Sequence, residues 1–153
     1  MVTTLHHAHT EPINPPGAEP ALTREQVWAG LQRKVRSPAE FVPVIDSYHI
    51  LSEAGDVVTR TVQFKPNFGP EGKITEVCTS YHPTQILYEM DTGDKVSNVI
   101  SAGPTGEPTD LFLTYVFDLQ NPKGDTESNA KVAKAAVVGT ITKIRQLAKE
   151  GKI

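Results

Sequence analysis

The chain has 153 residues, enough for one domain that buries roughly 70% of the surface its unfolded form exposes. With 15 Lys and Arg against 18 Asp and Glu the net charge is -3, and no basic run supplies the positive field that a nucleic-acid partner needs. No apolar run approaches the ~18 residues of a membrane span and no basic-then-apolar leader opens the chain, so the sequence reads as a soluble, cytoplasmic protein with no nucleic-acid or membrane partner.

In chain order, LHHAHT at residues 5–10 puts Leu5, His7 and His9 on one side of an extended strand and His6 and Ala8 on the other. Zinc wants three or four converging ligands, and His7 with His9 offers two. His49 and His82 lie on other segments and nothing in the sequence selects them, so no metal is expected. INPPGAEPA is too proline-rich to continue a ladder and reads as a connector. A helix is expected from Thr23 to about Ser37, because Val27, Trp28, Leu31 and Val35 share one face and Thr23 with Gln26 makes a capping box. Ser37, Pro38 and Glu40 repeat the start signal, so a second short helix is expected to run to Phe41 or Val42.

From residue 43 the period changes to two. Strands are expected over 44–53, 57–65, 73–81, 85–91, 95–102 and 110–119, broken by the turn-formers AGD, PNFGPEG, HP, TGD, GPTGEP and NPKGD. Spacers this short make an antiparallel meander. GPTGEP lies between two strands and reads as a hairpin loop, so no nucleotide cofactor is expected, nor any other cofactor. Cys78 is the only cysteine, which excludes an internal disulfide and any multi-cysteine metal centre. A last helix is expected over 126–149, with Val132, Ala133, Ala136, Val137, Thr140, Ile141, Ile144, Leu147 and Ala148 on its apolar side. One face of so wide a sheet must be hidden, and this long helix is the element available to cover it. A sheet curled about the helix is expected to enclose a cavity. Ala133, Ala136 and Gly139 would leave room, and Val137, Thr140, Ile141 and Ile144 would form the helix wall.

Within the strands, Arg60 alternates with Val58, Val62 and Phe64, Glu76 with Ile74 and Cys78, and Asn98 with Val96 and Ile100. Each polar side chain therefore shares a face with apolar neighbours. Buried together, Arg60 and Glu76 would need each other. One reading is a structural ion pair with Asn98 as its hydrogen-bonded neighbour. The other makes these three the catalytic set, with Glu76 as general acid or base and Arg60 and Asn98 holding ligand oxygens. A register error of one residue would put all three in water. Tyr88 with Met90, Tyr115 with Phe117, and Tyr48 with Ile50 read as core or as pocket wall, and His7 and His9 as residues of a first strand that face solvent or serve as acid/base groups of the pocket.

The runs INPPG at 13, LTREQVWAGLQRKVRSPAEFVPVI at 22, VVTRTVQF at 57, SNVIS at 97 and AVVGTITKIRQLAKEGKI at the end resemble the AtaL-like proteins of fungi and bacteria. These form a branch of the START-like (SRPBCC) superfamily that also holds the birch-pollen allergen. The resemblance implies one such domain over 1–153, of α+β class. Its helix-grip fold would wrap a bent seven-stranded sheet around the C-terminal helix, with two short helices after the first strand and an internal pocket for a hydrophobic small molecule. Lipid carriers, ligand sensors and cofactor-free cyclases belong to that superfamily, and the branch itself is known chiefly from secondary-metabolite gene clusters. Two functions follow as expectations: a cofactor-free cyclase or isomerase acting on an apolar carbonyl-bearing intermediate, or a carrier of such a molecule. A structural role with a filled interior is the third. The oligomeric state stays open, a homodimer included.

Overall fold

The structure, a computed structural model, describes residues 3–153. Strands β1 (Thr4–Pro12), β2 (Ile45–Ala54), β3 (Val57–Phe64), β4 (Lys73–Tyr81), β5 (Gln85–Met90), β6 (Lys95–Ala102) and β7 (Leu111–Gln120) form one sheet in the order β1-β7-β6-β5-β4-β3-β2. All of its pairings are antiparallel. Helices α1 (Arg24–Arg36) and α2 (Thr126–Lys149) lie on its concave face. This is the expected helix-grip fold. The expected second helix is a single 3-10 turn, Pro38–Glu40, because Pro43 steers Val42 out of helical geometry.

Strand order decides what lies over the sheet. Strands β2 to β7 follow one another as hairpins, while β1 pairs with β7 at the far edge from β2. The chain from Pro12 to Ile45 must therefore cross the sheet, and α1 is carried over the concave face by that crossing. Thr23 and Gln26 cap α1 reciprocally, as Asp125 and Ser128 cap α2. The helices meet at Gly30, where a Cβ would stand 2.5 Å from Ile144 Cγ1, so only glycine allows this approach.

Burial alternates along the strands as the period-two pattern predicts. Val58, Arg60 and Val62 on β3, Ile74, Glu76 and Cys78 on β4, and Asn98 and Ile100 on β6 point inward. The arginine, carboxylate and amide are thus on the concave side and not in water. Tyr48 and Ile50 pair with Val62 and Arg60 and share their face, yet both are over a third exposed. They stand on the free edge strand, beyond the reach of the helices, and are neither core nor pocket wall. On α2 the buried stripe is Ala133, Val137, Thr140, Ile141, Ile144 and Leu147. Val132 and Gly139 are exposed, so the glycine makes no room inside.

The connector after β1 is tied down by its own polar groups. Asn14 Nδ2 donates to the carbonyls of Leu22 and Thr109 at 2.9 Å each, and its Oδ1 accepts from the Leu22 amide at 2.7 Å. Arg145, on α2, donates to the carbonyls of Ile13 and Pro20 and, at 3.2 Å, to Asn14 Oδ1. Two of the most recognisable runs in the sequence, INPPG and TKIRQ, are therefore a clamp between chain ends. No described helix is long and apolar enough to cross a membrane.

Candidate functional site

Under the C-terminal half of α1 the concave face carries a buried polar cluster. Register brings Arg60 opposite Glu76, and their Nη2 and Oε1 atoms are 3.5 Å apart. Arg60 Nη1 also donates to the α1 carbonyls of Lys34, at 3.0 Å, and Val35. The guanidinium thus caps the helix end, where the dipole favours a cation. Burial works against its charge, but Glu76, Cys78 and Tyr88 outweigh it and raise the Arg60 pKa.

Lys34 enters the same cluster from α1. Its Nζ donates to Asn98 Oδ1 at 3.0 Å and to Tyr88 Oη at 3.4 Å. The ammonium lies over the rings of Tyr88 and Tyr115, 4.5 and 5.1 Å from their centroids. Desolvation first, and then the charge of Arg60, lower its pKa to about 7. Sequence reasoning missed this residue. The signal was there: Lys34 falls three residues after Leu31 and seven after Val27, on the apolar stripe of α1, and a lysine on such a stripe is buried.

The cluster is not fully satisfied. Among the described residues Arg60 Nε and Asn98 Nδ2 are buried donors with no partner, although Asn98 is wholly inaccessible. Each such group costs on the order of 1–3 kcal/mol, so the arrangement is not one that stability alone favours. It is, however, a set of N–H groups held ready for an acceptor oxygen. Burial pushes the Tyr88 hydroxyl well above its ordinary range, and likewise Tyr115, whose hydroxyl bonds Thr140 on α2. Burial also drives the Cys78 thiol up to about 11, so it is protonated at neutral pH and no nucleophile.

The other predicted wall residues separate into regions. Tyr88, Tyr115, Val137, Ile141 and Ile144 belong to one continuous apolar cluster, with Phe117 packed against it and Thr140 buried beside them. Met90 packs in a second cluster with Ile45, Val62 and Ile74. His7 and His9 face α2 from the β1 edge. His9 Nε2 is 2.6 Å from Glu11 Oε2, whereas the buried His7 Nε2 has no partner. Among the described residues no three His, Cys, Asp or Glu side chains converge as a metal site.

Among the described residues the expected large cavity is not outlined at the concave cluster. One hollow of about 40 Å³ lies beside His7, Phe117 and Ala133, and an open one of about 240 Å³ lies on α2 beside Arg145. Neither is lined by Arg60, Glu76 or Asn98. Lys34, Leu31 and Val35 descend from α1 onto Tyr88 and Tyr115, and occupy the space that a lone C-terminal helix would have left open.

A curved sheet gripping a C-terminal helix, with a second helix crossing its concave face, defines a helix-grip fold. Residues 7–151 match the family model AtaL, described as acetylaranotin biosynthesis cluster protein L, and the chain belongs to that family. No curated protein matches it. Among solved structures it resembles the Zhui aromatase/cyclase from Streptomyces sp. R1128, with 14% identity, TM-score 0.64, and 97% of this chain and 94% of that one covered. It also resembles the di-domain ARO/CYC StfQ from the steffimycin biosynthetic pathway, with 14% identity, TM-score 0.65, and 97% and 52% covered. A third likeness is to the di-domain ARO/CYC BexL from the BE-7585A pathway, with 11% identity, TM-score 0.61, and 94% and 49% covered. The chain spans about half the length of these two di-domain proteins.

Proposed function

We propose that the protein is a cofactor-free enzyme of a secondary-metabolite pathway that draws a flexible, apolar molecule bearing several carbonyls against the concave cluster and assists its cyclisation or isomerisation. The observation that carries this reading is the pair of unpartnered buried donors, Arg60 Nε and Asn98 Nδ2, in an otherwise apolar interior. Two such donors suit two carbonyl oxygens, and an oxygen that gains charge during enolisation is held more tightly than the starting ketone. Glu76 beside them is the carboxylate that would take and return the proton. Tyr88, Tyr115, Phe117, Val137, Thr140, Ile141 and Ile144 would form the wall, with Met90, His7 and His9 at its margins. Because α1 side chains fill the interior, a guest enters by displacing the apolar α1 side chains Leu31 and Val35 beside Lys34. Holding a chain near its reactive conformation supplies roughly 7–11 kcal/mol in the best intramolecular cases, and one acid/base group adds about 10²- to 10⁴-fold. The biosynthesis-cluster description of the family and the aromatase/cyclase designation of the structural neighbours support the same reading.

The test has two parts. Native mass spectrometry of protein purified from its producing host is expected to find a carbonyl-bearing small molecule bound. Fluorescence of Trp28, the only tryptophan and a residue of α1, then follows titration with an aryl 1,3-dione. Asn98→Leu is expected to weaken that binding about tenfold, the worth of one lost hydrogen bond. Equal binding by both proteins overturns the assignment of the cluster. Binding in which the copurified molecule is returned unchanged, and turnover indifferent to Glu76→Gln, make the protein a carrier instead.

A further inference from the structure

Lys34 is the one buried amine of this cluster, and the structure assigns it more than a structural part. A lysine placed only to hold the fold would be met by a carboxylate. Its Nζ has none: the partners are an amide oxygen, a phenol and two ring faces. Glu76 is instead engaged by Arg60, which competes with Lys34 for negative charge and stacks 5.3 Å from the same Tyr88 ring. The nitrogen therefore lies in an apolar enclosure with the unpartnered N–H groups of Arg60 and Asn98 in the same cluster.

Resting on the reading of the cluster as a carbonyl site, we propose that Lys34 is a nucleophile that forms an imine with a ketone of the bound 1,3-dicarbonyl chain. The Nζ lone pair adds to the carbonyl carbon, and the carbonyl oxygen leaves as water with the two amine protons. Protonated, the imine draws electrons from the adjacent C–H bond. Glu76 takes that proton, the resulting enamine carbon attacks a second carbonyl of the same chain, and Glu76 returns the proton to the oxygen of that carbonyl. Water then adds to the iminium carbon and the amine departs, restoring Lys34. No oxidant or reductant is required; one water is released and one consumed, so the net reaction is an intramolecular aldol addition. The groups that set the amine's charge are Arg60 from β3 and Glu76 and Cys78 from β4, while Tyr88 from β5 and Tyr115 from β7 face it with their rings. Arg60 and burial favour the neutral amine, and Glu76 opposes them. At pH 7 an amine titrating near that value is neutral roughly 10³ times more often than a lysine with an ordinary pKa near 10.4.

Pentane-2,4-dione is the probe, because with an amine it gives a conjugated enaminone visible in the near ultraviolet without a reducing agent. The full chain is incubated with it between about pH 6 and pH 9, and modified lysines are located by peptide mass. Lys34 is expected to react at least about tenfold faster than the surface lysines, with a midpoint near neutrality. Lys34→Met and Lys34→Arg should both abolish this fast phase; the second keeps the cation and its donors. Lys34 left unmodified while surface lysines react at ordinary rates overturns the proposal. Trp28 fluorescence separates the two failures: dione binding without an adduct leaves the non-covalent carbonyl site standing, and neither binding nor adduct removes both.

Discussion

Two polar regions of this molecule, a half-buried clamp and a buried cluster, are built from the same kinds of side chain and end differently. In the clamp, Asn14 satisfies both ends of its amide and Arg145 closes on two carbonyls and the same amide. In the concave cluster, Arg60 keeps its Nε–H idle and Asn98 both N–H bonds of Nδ2, and a lysine is held there with its pKa depressed. A network that only joins chain segments leaves no donor shut away from water without a partner, since every such donor costs stability. The cluster does, and that asymmetry separates a fastening from a site.

The comparison is broken most directly at the ion pair. Glu76→Gln leaves the Arg60 guanidinium buried beside a neutral amide, and a loss of about 3–5 kcal/mol is expected in urea unfolding. A loss below about 1 kcal/mol would mean that the carbonyls of Lys34 and Val35 hold Arg60 without help. Arg145→Ala should cost about 1.5–3 kcal/mol through its lost carbonyl bonds while dione affinity per folded molecule is unchanged; altered affinity would join the two regions into one functional unit.

The smallest expected effect is in pH dependence. The lysine's pKa is lowered on folding, so between about 7 and its ordinary value the unfolded chain binds more protons, and stability rises with pH across that window. Below it both states are protonated and the full cost of the buried charge is present. Raising the pH from about 7 to about 9 should therefore stabilise the natural protein relative to Lys34→Met by roughly 1–2 kcal/mol, read from unfolding midpoints. A flat difference would place a charged amine in the cluster throughout.

Much of this was legible in residue order, for reasons that particular elements make plain. Val58, Arg60 and Val62 had to share a face because strand side chains alternate, and the antiparallel pairing of β3 with β4 across the loop 65–72 set Arg60 against Glu76. The capping pair Thr23 and Gln26 and the stripe from Ala133 to Leu147 are likewise local facts. Lys34 was legible and overlooked, since lysine is ordinarily read as a solvent residue even where its helical position is an inward one. Tyr48 and Ile50 have strand alternation identical to that of buried residues, and only their place on the edge strand exposes them.

By itself, then, the order of residues determined the elements and which side chains of each strand share a face, because these follow from periods of two and 3.6 and from turn chemistry acting over a few positions, while the register of Arg60 against Glu76 came from strand pairing. Whether the grip is hollow or full, and which amine meets Asn98, was decided only in three dimensions. Both depend on β1 pairing with β7 across the sheet from β2, a contact between residues more than a hundred positions apart that obliges α1 to lie across the concave face.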